Sequence, residues 1–237
     1  VLSTSPPISC HLVARQLALE FTIPWVADFR DYWSVAPVEQ SYNDARQIER
    51  GRKLLDEFRT TAALKTAVNQ SIADYIGTCE VVRNAYNEQL AGLWKAPTDN
   101  SIFRIGLFGH DIDQKSWQWL LETLSMARKL DASLLLRTEL IHVGQADVQT
   151  MQKDMSDRQL SCRLSTRGHL SRTQTFAALS ETHMVYLGMS QPEGFQIVPG
   201  RVYDLVASGR PILSNSEPTS ELAQIIESTD NGWCYAL

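Results

Sequence analysis

The sequence predicts an α/β fold built on parallel sheets, and three observations carry that prediction. Short apolar runs alternate with amphipathic helical patterns for nearly the whole length, which is the signature of βαβ units. A length of 237 residues suits two domains of roughly 100–150 residues each. The composition, 43% hydrophobic and 21% charged, is that of a globular chain and leaves little room for fibrous or disordered alternatives.

Taken in order, Val1 to Thr4 reads as a strand end. Ser5-Pro6-Pro7 stops it, because proline lacks the donor a central strand needs. Ile8 to Phe21 places Leu12, Leu17, Ala18 and Phe21 at helical spacing. Pro24 to Phe29 is a buried strand ending on Arg30-Asp31. Asp44 to Arg59 is a charged helix with an apolar stripe, Ala62 to Val68 a strand, Ser71 to Ile76 a helix, and Glu80 to Arg83 a strand. The polar stretch from Gly92 to Ser101 marks a domain junction, giving domains 1–95 and 96–237.

The second series opens with a strand, Phe103 to Phe108, followed by a helix from Ser116 to Leu130 that turns Trp117, Leu120, Leu121 and Leu124 inward. Strands follow at Leu140 to Val143, Arg163 to Thr166, Met184 to Leu187, Pro211 to Leu213 and Trp233 to Leu237. Helices are expected at Ala146 to Asp157, Ser171 to Leu179, Val202 to Ala207 and Ser220 to Ile226. Ser208-Gly209 is a glycine stop for the third of these. Two Rossmann-like halves result.

Charge and motif content exclude several functions. With 27 acidic against 22 basic residues, nucleic acid is not expected as a partner. No run reaches the roughly 18–20 apolar residues of a membrane span, and the N-terminal residues lack the pattern of a secretory signal. The absence of G-x-G-x-x-G, Walker A and G-x-S-x-G leaves dehydrogenase, P-loop and α/β-hydrolase readings unsupported. Cys10, Cys79, Cys162 and Cys234 lie too far apart for metal-ligand spacing and read as buried thiols in a reducing compartment. No metal site is expected. The chain opens without Met on a strand end, as a fragment would.

In open parallel sheets, ligands sit at the carboxyl ends of strands, beside helix N-termini. That rule singles out Ser5-Pro6-Pro7, Arg30-Asp31, the loop from Gly109 to Lys115, Gly144-Gln145, Gly168-His169, the stretch from Ser190 to Arg201, and Ser214 to Ser220.

The segment from Gln196 to Pro211, Q-I-V-P-G-R-V-Y-D-L-V-A-S-G-R-P, resembles the C-terminal domain of retaining GT-B glycosyltransferases of the group 1 (family 4) kind. In that family a paired-carboxylate segment runs into E-x-x-x-x-G-x-P and a strand. Four further stretches look like family motifs in the family's order: Ser3-Thr4-Ser5-Pro6-Pro7 with His11; Ile23 to Trp33, reading I-P-W-V-A-D-F-R-D-Y-W; Val81 to Asn87; and Phe108-Gly109 onward. The departures are Gln196 and Asp204 where the family has glutamates, and Arg201 in place of its lysine. Ala85 and Asn87 replace a Gly and an Asp, and Glu217 to Ser220 stands where Gly-Ser is usual. The resemblance also implies that the first βα units of the N-terminal domain and a C-terminal crossover helix are missing.

It further implies a GT-B architecture with an incomplete first domain, and transfer of a sugar from a nucleotide-sugar donor to an acceptor hydroxyl with retention of configuration. A carboxylate such as Asp204 would accept paired hydrogen bonds from a ribose. Helix amides and a cation such as Lys115 would stabilise the departing diphosphate. Expected donor-binding residues are Gly109, His110, Lys115, Gly144, Gln196, Arg201, Asp204 and Ser220; His11 and Asp31 are the catalytic candidates. No cofactor is implied beyond the nucleotide sugar as co-substrate. The acceptor would be a carbohydrate or lipid-linked sugar in cell-surface polysaccharide or glycolipid assembly. The implied location is the cytoplasm, with peripheral membrane contact through the missing N-terminal region. The residues leave plainer readings open: a lone His11 as a structural histidine, Asp31 pairing with Arg30, Arg201 pairing locally with Asp204, and Ser220 as a helix cap. Two rivals stand beside the transferase: a nucleotide-sugar epimerase of the same architecture, and a non-catalytic module that binds nucleotide sugar or a partner protein.

Overall fold

The computed structural model describes residues 1–32, 45–86, 88, 95, 97–109, 112–189 and 197–235. They form two compact units, Val1–Asn84 with Pro192–Val198, and Ala85–Gln191 with Pro199–Leu237.

The first unit runs β1 (Leu2–Ser5), α1 (Ser9–Phe21), β2 (Val26–Phe29), α2 (Ala45–Thr61), β3 (Leu64–Ala67), α3 (Gln70–Ile76) and β4 (Glu80–Val81). Its four strands are parallel in the order β1-β2-β3-β4. α1 stops where Thr22 turns left-handed at φ 52° and returns its N–H to the Ala18 carbonyl. α3 starts on Asn69, whose side chain accepts from the Ile72 N–H. One core takes residues from all three helices, among them Ala14, Phe58 and Ile72, against Trp25, Ala27, Phe29 and Ala67. The described helices thus cover one sheet face, the one bearing Ser3, Ala27, Phe29 and Ala67. Leu2, Thr4, Val26, Asp28, Leu64 and Thr66 alternate onto the other.

The second unit begins β5 (Phe103–Phe108), α4 (Gln114–Leu130), α5 (Ala132–Leu136), β6 (Thr138–Val143), α6 (Val148–Asp157) and β7 (Arg163–Thr166). It continues α7 (Arg172–Ser180), β8 (Met184–Leu187), α8 (Arg201–Ala207), β9 (Ile212–Ser214), α9 (Glu221–Ser228) and β10 (Gly232–Cys234). The six strands are parallel, ordered β10-β9-β8-β5-β6-β7. The chain builds outward from β5 to β7, crosses back, and resumes on the other side of β5. Trp117, Leu121 and Leu124 of α4 and Met151 and Met155 of α6 pack on one face with Ile105, Leu107 and Leu140. Ala178 of α7 packs with Ile141 and Val143, which alternate to the opposite face.

Most elements match their sequence expectations. One helix, α5, was not anticipated. Its Ala-Ser-Leu-Leu-Leu run has no period of its own; Asp131 starts it by accepting from the Ser133 N–H. The cysteines also differ in part: all four are free, but only Cys162 and Cys234 are buried, Cys10 being exposed and Cys79 half-buried.

Candidate functional site

Strand order reverses at β5, between β6 and β8. At such a switch point the two flanking connections leave the sheet on opposite faces and open a crevice at the strands' carboxyl ends. The residues there come from the turns after β5 and β8 and from the start of α8.

Gly109 ends β5 at φ +135°, a backbone shape that L side chains rarely adopt. Its N–H still bonds the Val143 carbonyl at 3.0 Å. The Arg201 guanidinium, from the first residue of α8, lies directly where a Gly109 Cβ would project. Glycine is needed here twice, for conformation and for space. Arg201 Nε is buried, and the side chain has no hydrogen bond or ion pair with any described residue. Burial pushes its pKa down. The guanidinium is half-buried and pairs with no anion among the described residues, so this position is suited to receive one.

A polar clamp that sequence reading missed holds the crevice together. Asn215, just after β9, accepts from the Met189 N–H at 2.7 Å and donates to Ser116 Oγ at 2.9 Å. Ser116 in turn donates to Asp113 Oδ2 at 2.7 Å, while Asp113 Oδ1 caps α4 by accepting the Ser116 N–H. Three loops, after β5, β8 and β9, are thus tied through one buried asparagine. The Asp113-x-x-Ser116 cap was readable in the sequence; the asparagine that joins it, 99 residues beyond Ser116, was not.

The other expected donor residues fall around this frame. Lys115 is exposed in the first turn of α4. Gly144 ends β6 at φ +139° and, with Gln145, Ala146, Thr166, Gly168 and His169, lines a cavity of about 410 Å³. Asp204 does not pair with Arg201, its neighbour on α8. Its Oδ2 meets Arg172 Nη2 of α7 at 3.3 Å, and its Oδ1 is buried without a partner among the described residues. Ser220 is buried and caps α9, its hydroxyl accepting from the Ala223 N–H at 3.1 Å. His110 and Gln196 lie outside the described residues.

In the first unit, His11 is wholly buried. Its ring meets Trp25, Phe29 and Phe58 edge-on, and Nδ1 lies 2.7 Å from Ser3 Oγ. The Trp25 Nε1–H already donates to that hydroxyl, which leaves the serine proton for His11 Nδ1. Desolvation lowers the His11 pKa to about 4, outweighing the opposing pull of Asp28, so the ring is neutral at pH 7. Asp31 is exposed and caps the Tyr32 N–H with Oδ1 at 2.8 Å.

Arg30 does not pair with Asp31. It donates through Nε to Asp28 Oδ2 at 2.6 Å and through Nη1 to Asn84 Oδ1 at 2.8 Å. Asp28, only 7% exposed, also accepts from Thr4 and Thr66 at 3.0 and 2.7 Å. This rung across β1, β2 and β3 is the first unit's main polar cluster. Among the described residues no group of His, Cys, Asp and Glu is placed to hold a metal ion.

No protein-family model and no curated protein matches the sequence. Solved structures do. The chain is similar to WaaG, a glycosyltransferase involved in lipopolysaccharide biosynthesis, at 14% identity and a TM-score of 0.63, over 94% of this chain and 67% of that one. It is similar to the sucrose-phosphate synthase of Thermosynechococcus elongatus at 14% identity and a TM-score of 0.62, over 95% and 58%. The chain has the GT-B glycosyltransferase fold. A protein described as a UDP-N-acetylglucosamine 2-epimerase, from Listeria monocytogenes, shares it at 13% identity and a TM-score of 0.52, over 96% and 59%. The chain therefore spans about three fifths to two thirds of the length of these structures, and identities this low speak to architecture alone.

Proposed function

We propose that the chain is part of a retaining glycosyltransferase of the group 1 (family 4) kind, which moves a sugar from a nucleotide-sugar donor to an acceptor hydroxyl. The observation that carries this reading is Arg201, a half-buried cation with no partner among the described residues, held across Gly109 at the switch point of the second unit. As the bond from the sugar to the diphosphate breaks, negative charge grows on the phosphate oxygens. Arg201, fixed in place, stabilises that charge without having to reorganise, and Lys115 adds a second cation from the first turn of α4. The glycine turns at Gly109 and Gly144 let the backbone approach the donor closely. Asp204 serves the ribose hydroxyls, with Arg172 orienting its carboxylate. The acceptor is a carbohydrate or lipid-linked sugar in cell-surface polysaccharide or glycolipid assembly, and the protein works in the cytoplasm at a membrane face. WaaG's part in lipopolysaccharide biosynthesis supports that assignment.

Calorimetry with UDP, ADP and GDP and their sugar conjugates, run beside donor hydrolysis, tests the proposal. Binding in the micromolar range with slow hydrolysis is the expected result; failure of every nucleoside diphosphate to bind overturns it. The epimerase reading, favoured by a structure of the same fold, requires a new sugar epimer to appear without acceptor. Binding with neither product would mark a non-catalytic module.

A further inference from the structure

Ser214, which ends β9, and the two residues after it, Asn215 and Ser216, are polar and yet at most 3% exposed. Ser214 Oγ donates to the Leu187 carbonyl of β8 at 2.9 Å and lies 3.0 Å from Ser216 Oγ. The partners of Asn215 fix which way its amide faces. The Met189 N–H can only donate, so Asn215 Oδ1 accepts it at 2.7 Å; the amide nitrogen is thereby aimed at Ser116 Oγ and donates to it at 2.9 Å. Ser116 then sends its own hydroxyl proton to Asp113 Oδ2 at 2.7 Å, while its backbone N–H meets Asp113 Oδ1 at 3.0 Å. Donation runs one way along this chain, from the Met189 amide to the Asp113 carboxylate.

Close packing gives the arrangement little slack. A Cβ at Gly188 would lie 2.8 Å from Ser116 Cβ and 3.1 Å from the Tyr186 ring, and the Tyr186 hydroxyl donates to the Ser116 carbonyl at 2.7 Å. The turn after β8 and the first turn of α4 are pressed together there. Both oxygens of Asp113 are consequently turned onto Ser116. Asp113 belongs to the loop that starts at Gly109, over which the Arg201 guanidinium lies, and it stands two residues before Lys115. Even so, it forms no ion pair with Arg201, which has no partner among the described residues. The other acid of this loop, Asp111, lies outside the described residues.

We propose that Asn215 is a positioning residue for the donor diphosphate: by fixing the Ser116 hydroxyl it keeps Asp113 turned inward as a helix cap, so that Arg201 and Lys115 meet the phosphates without that carboxylate as a competitor. This role rests on the donor reading given above. A carboxylate released from Ser116 would stand on the same loop as Gly109 and draw Arg201 to itself, and a phosphate would then have to displace it. The task needs a side chain that accepts and donates at once without charge, which an amide supplies. An aspartate here would take the Ser116 proton and free Asp113, and an aliphatic residue would strand the Met189 N–H.

The test is calorimetry of the full chain, Asn215→Asp and Ser116→Ala with UDP, ADP, GDP and inorganic pyrophosphate, at pH 8 and pH 5.5. At pH 8, Asn215→Asp should weaken the tightest of these about tenfold. At pH 5.5 its deficit against the natural chain should shrink to about threefold or less. Burial and the Asp113 charge raise the pKa of the introduced carboxyl, and its protonated form donates to Ser116 again. The neighbouring Tyr186 and Cys234 have pKa values pushed up by burial and stay protonated throughout. Ser116→Ala, which keeps the backbone cap on Asp113, should weaken binding about fivefold at both pH values. If Asn215→Asp does not fold, Ser116→Ala decides alone. Either folded variant binding within twofold of the natural chain at pH 8 overturns the proposal and leaves the donor reading standing, even if its melting temperature falls. So does an Asn215→Asp deficit that is equal at both pH values. Failure of the natural chain to bind any of the four overturns the donor reading and this role with it.

Discussion

The two sheets of this protein are both parallel, yet they present polar chemistry in different ways. In the second unit, helices cover both faces and the strand order reverses at β5. Topology alone makes a switch point there, and the chain places beside it a guanidinium with no partner among the described residues. In the first unit the four strands advance in one direction and the described helices share one face. No reversal makes a crevice among the described residues. The polar cluster instead lies on a rung of the sheet, and every charge in it is matched: Asp28 with Arg30, Thr4 and Thr66, and Arg30 with Asn84. A satisfied network fixes structure; a half-buried cation with no partner among the described residues solicits a ligand.

If this contrast is right, substitutions in the two clusters have opposite signatures. The largest effect is expected at Asp28. Asp28→Ala strands Arg30 and two threonine hydroxyls on the sheet, and should lower stability by about 2–4 kcal/mol. Urea unfolding at pH 7 would report it, and nucleoside diphosphate affinity should stay within twofold. A comparable loss of affinity would end the contrast. Arg201→Ala should do the reverse: affinity falls roughly tenfold to a hundredfold, about 1.5–3 kcal/mol for lost charged hydrogen bonds, with unfolding unchanged or slightly harder.

His11 sharpens the same distinction through pH. Its native pKa, about 4, lies below the unfolded value of 6.5, so the unfolded chain takes up the proton first as pH falls. The stability contributed by the neutral ring is complete above about pH 6.5, declines toward pH 4, and levels off when the native ring titrates. Between pH 7.5 and pH 5 the loss amounts to about 2 kcal/mol. In His11→Gln this part of the pH dependence should vanish from urea unfolding curves. The smallest effect is expected for Gly109→Ala, which forces an L residue to φ +135° against Arg201. A cost of about 1–2 kcal/mol and a several-fold weaker diphosphate affinity would be seen by the same two measurements.

Much of the element order was legible because glycine and proline punctuate the chain and period-2 runs alternate with helical stripes. α5 escaped because Leu134, Leu135 and Leu136 read equally as the approach to the next strand. The site was legible in its outline and hidden in its pairings. Arg201 and Asp204 are three residues apart on one helix, which suggests an ion pair; yet Arg201 reaches over Gly109 while Asp204 turns to Arg172, 32 residues away. Asp28 looked like one more residue of an apolar strand, and nothing local announces that Thr4 and Thr66 will flank it. Asn215 likewise acquires its meaning only when three loops distant in sequence converge. Spacing along the chain fixes which faces residues share, whereas partners across a sheet are set by strand order.

The guanidinium over Gly109, without a partner among the described residues, also makes the folded protein a sensor of its own ligand. Any small anion that fits relieves an electrostatic burden present only in the native state, and mass action then raises the melting temperature in proportion to how well it fits. A melting-curve screen of phosphorylated metabolites can therefore rank the natural donor before any reaction has been assayed, and Arg201→Ala should flatten that ranking.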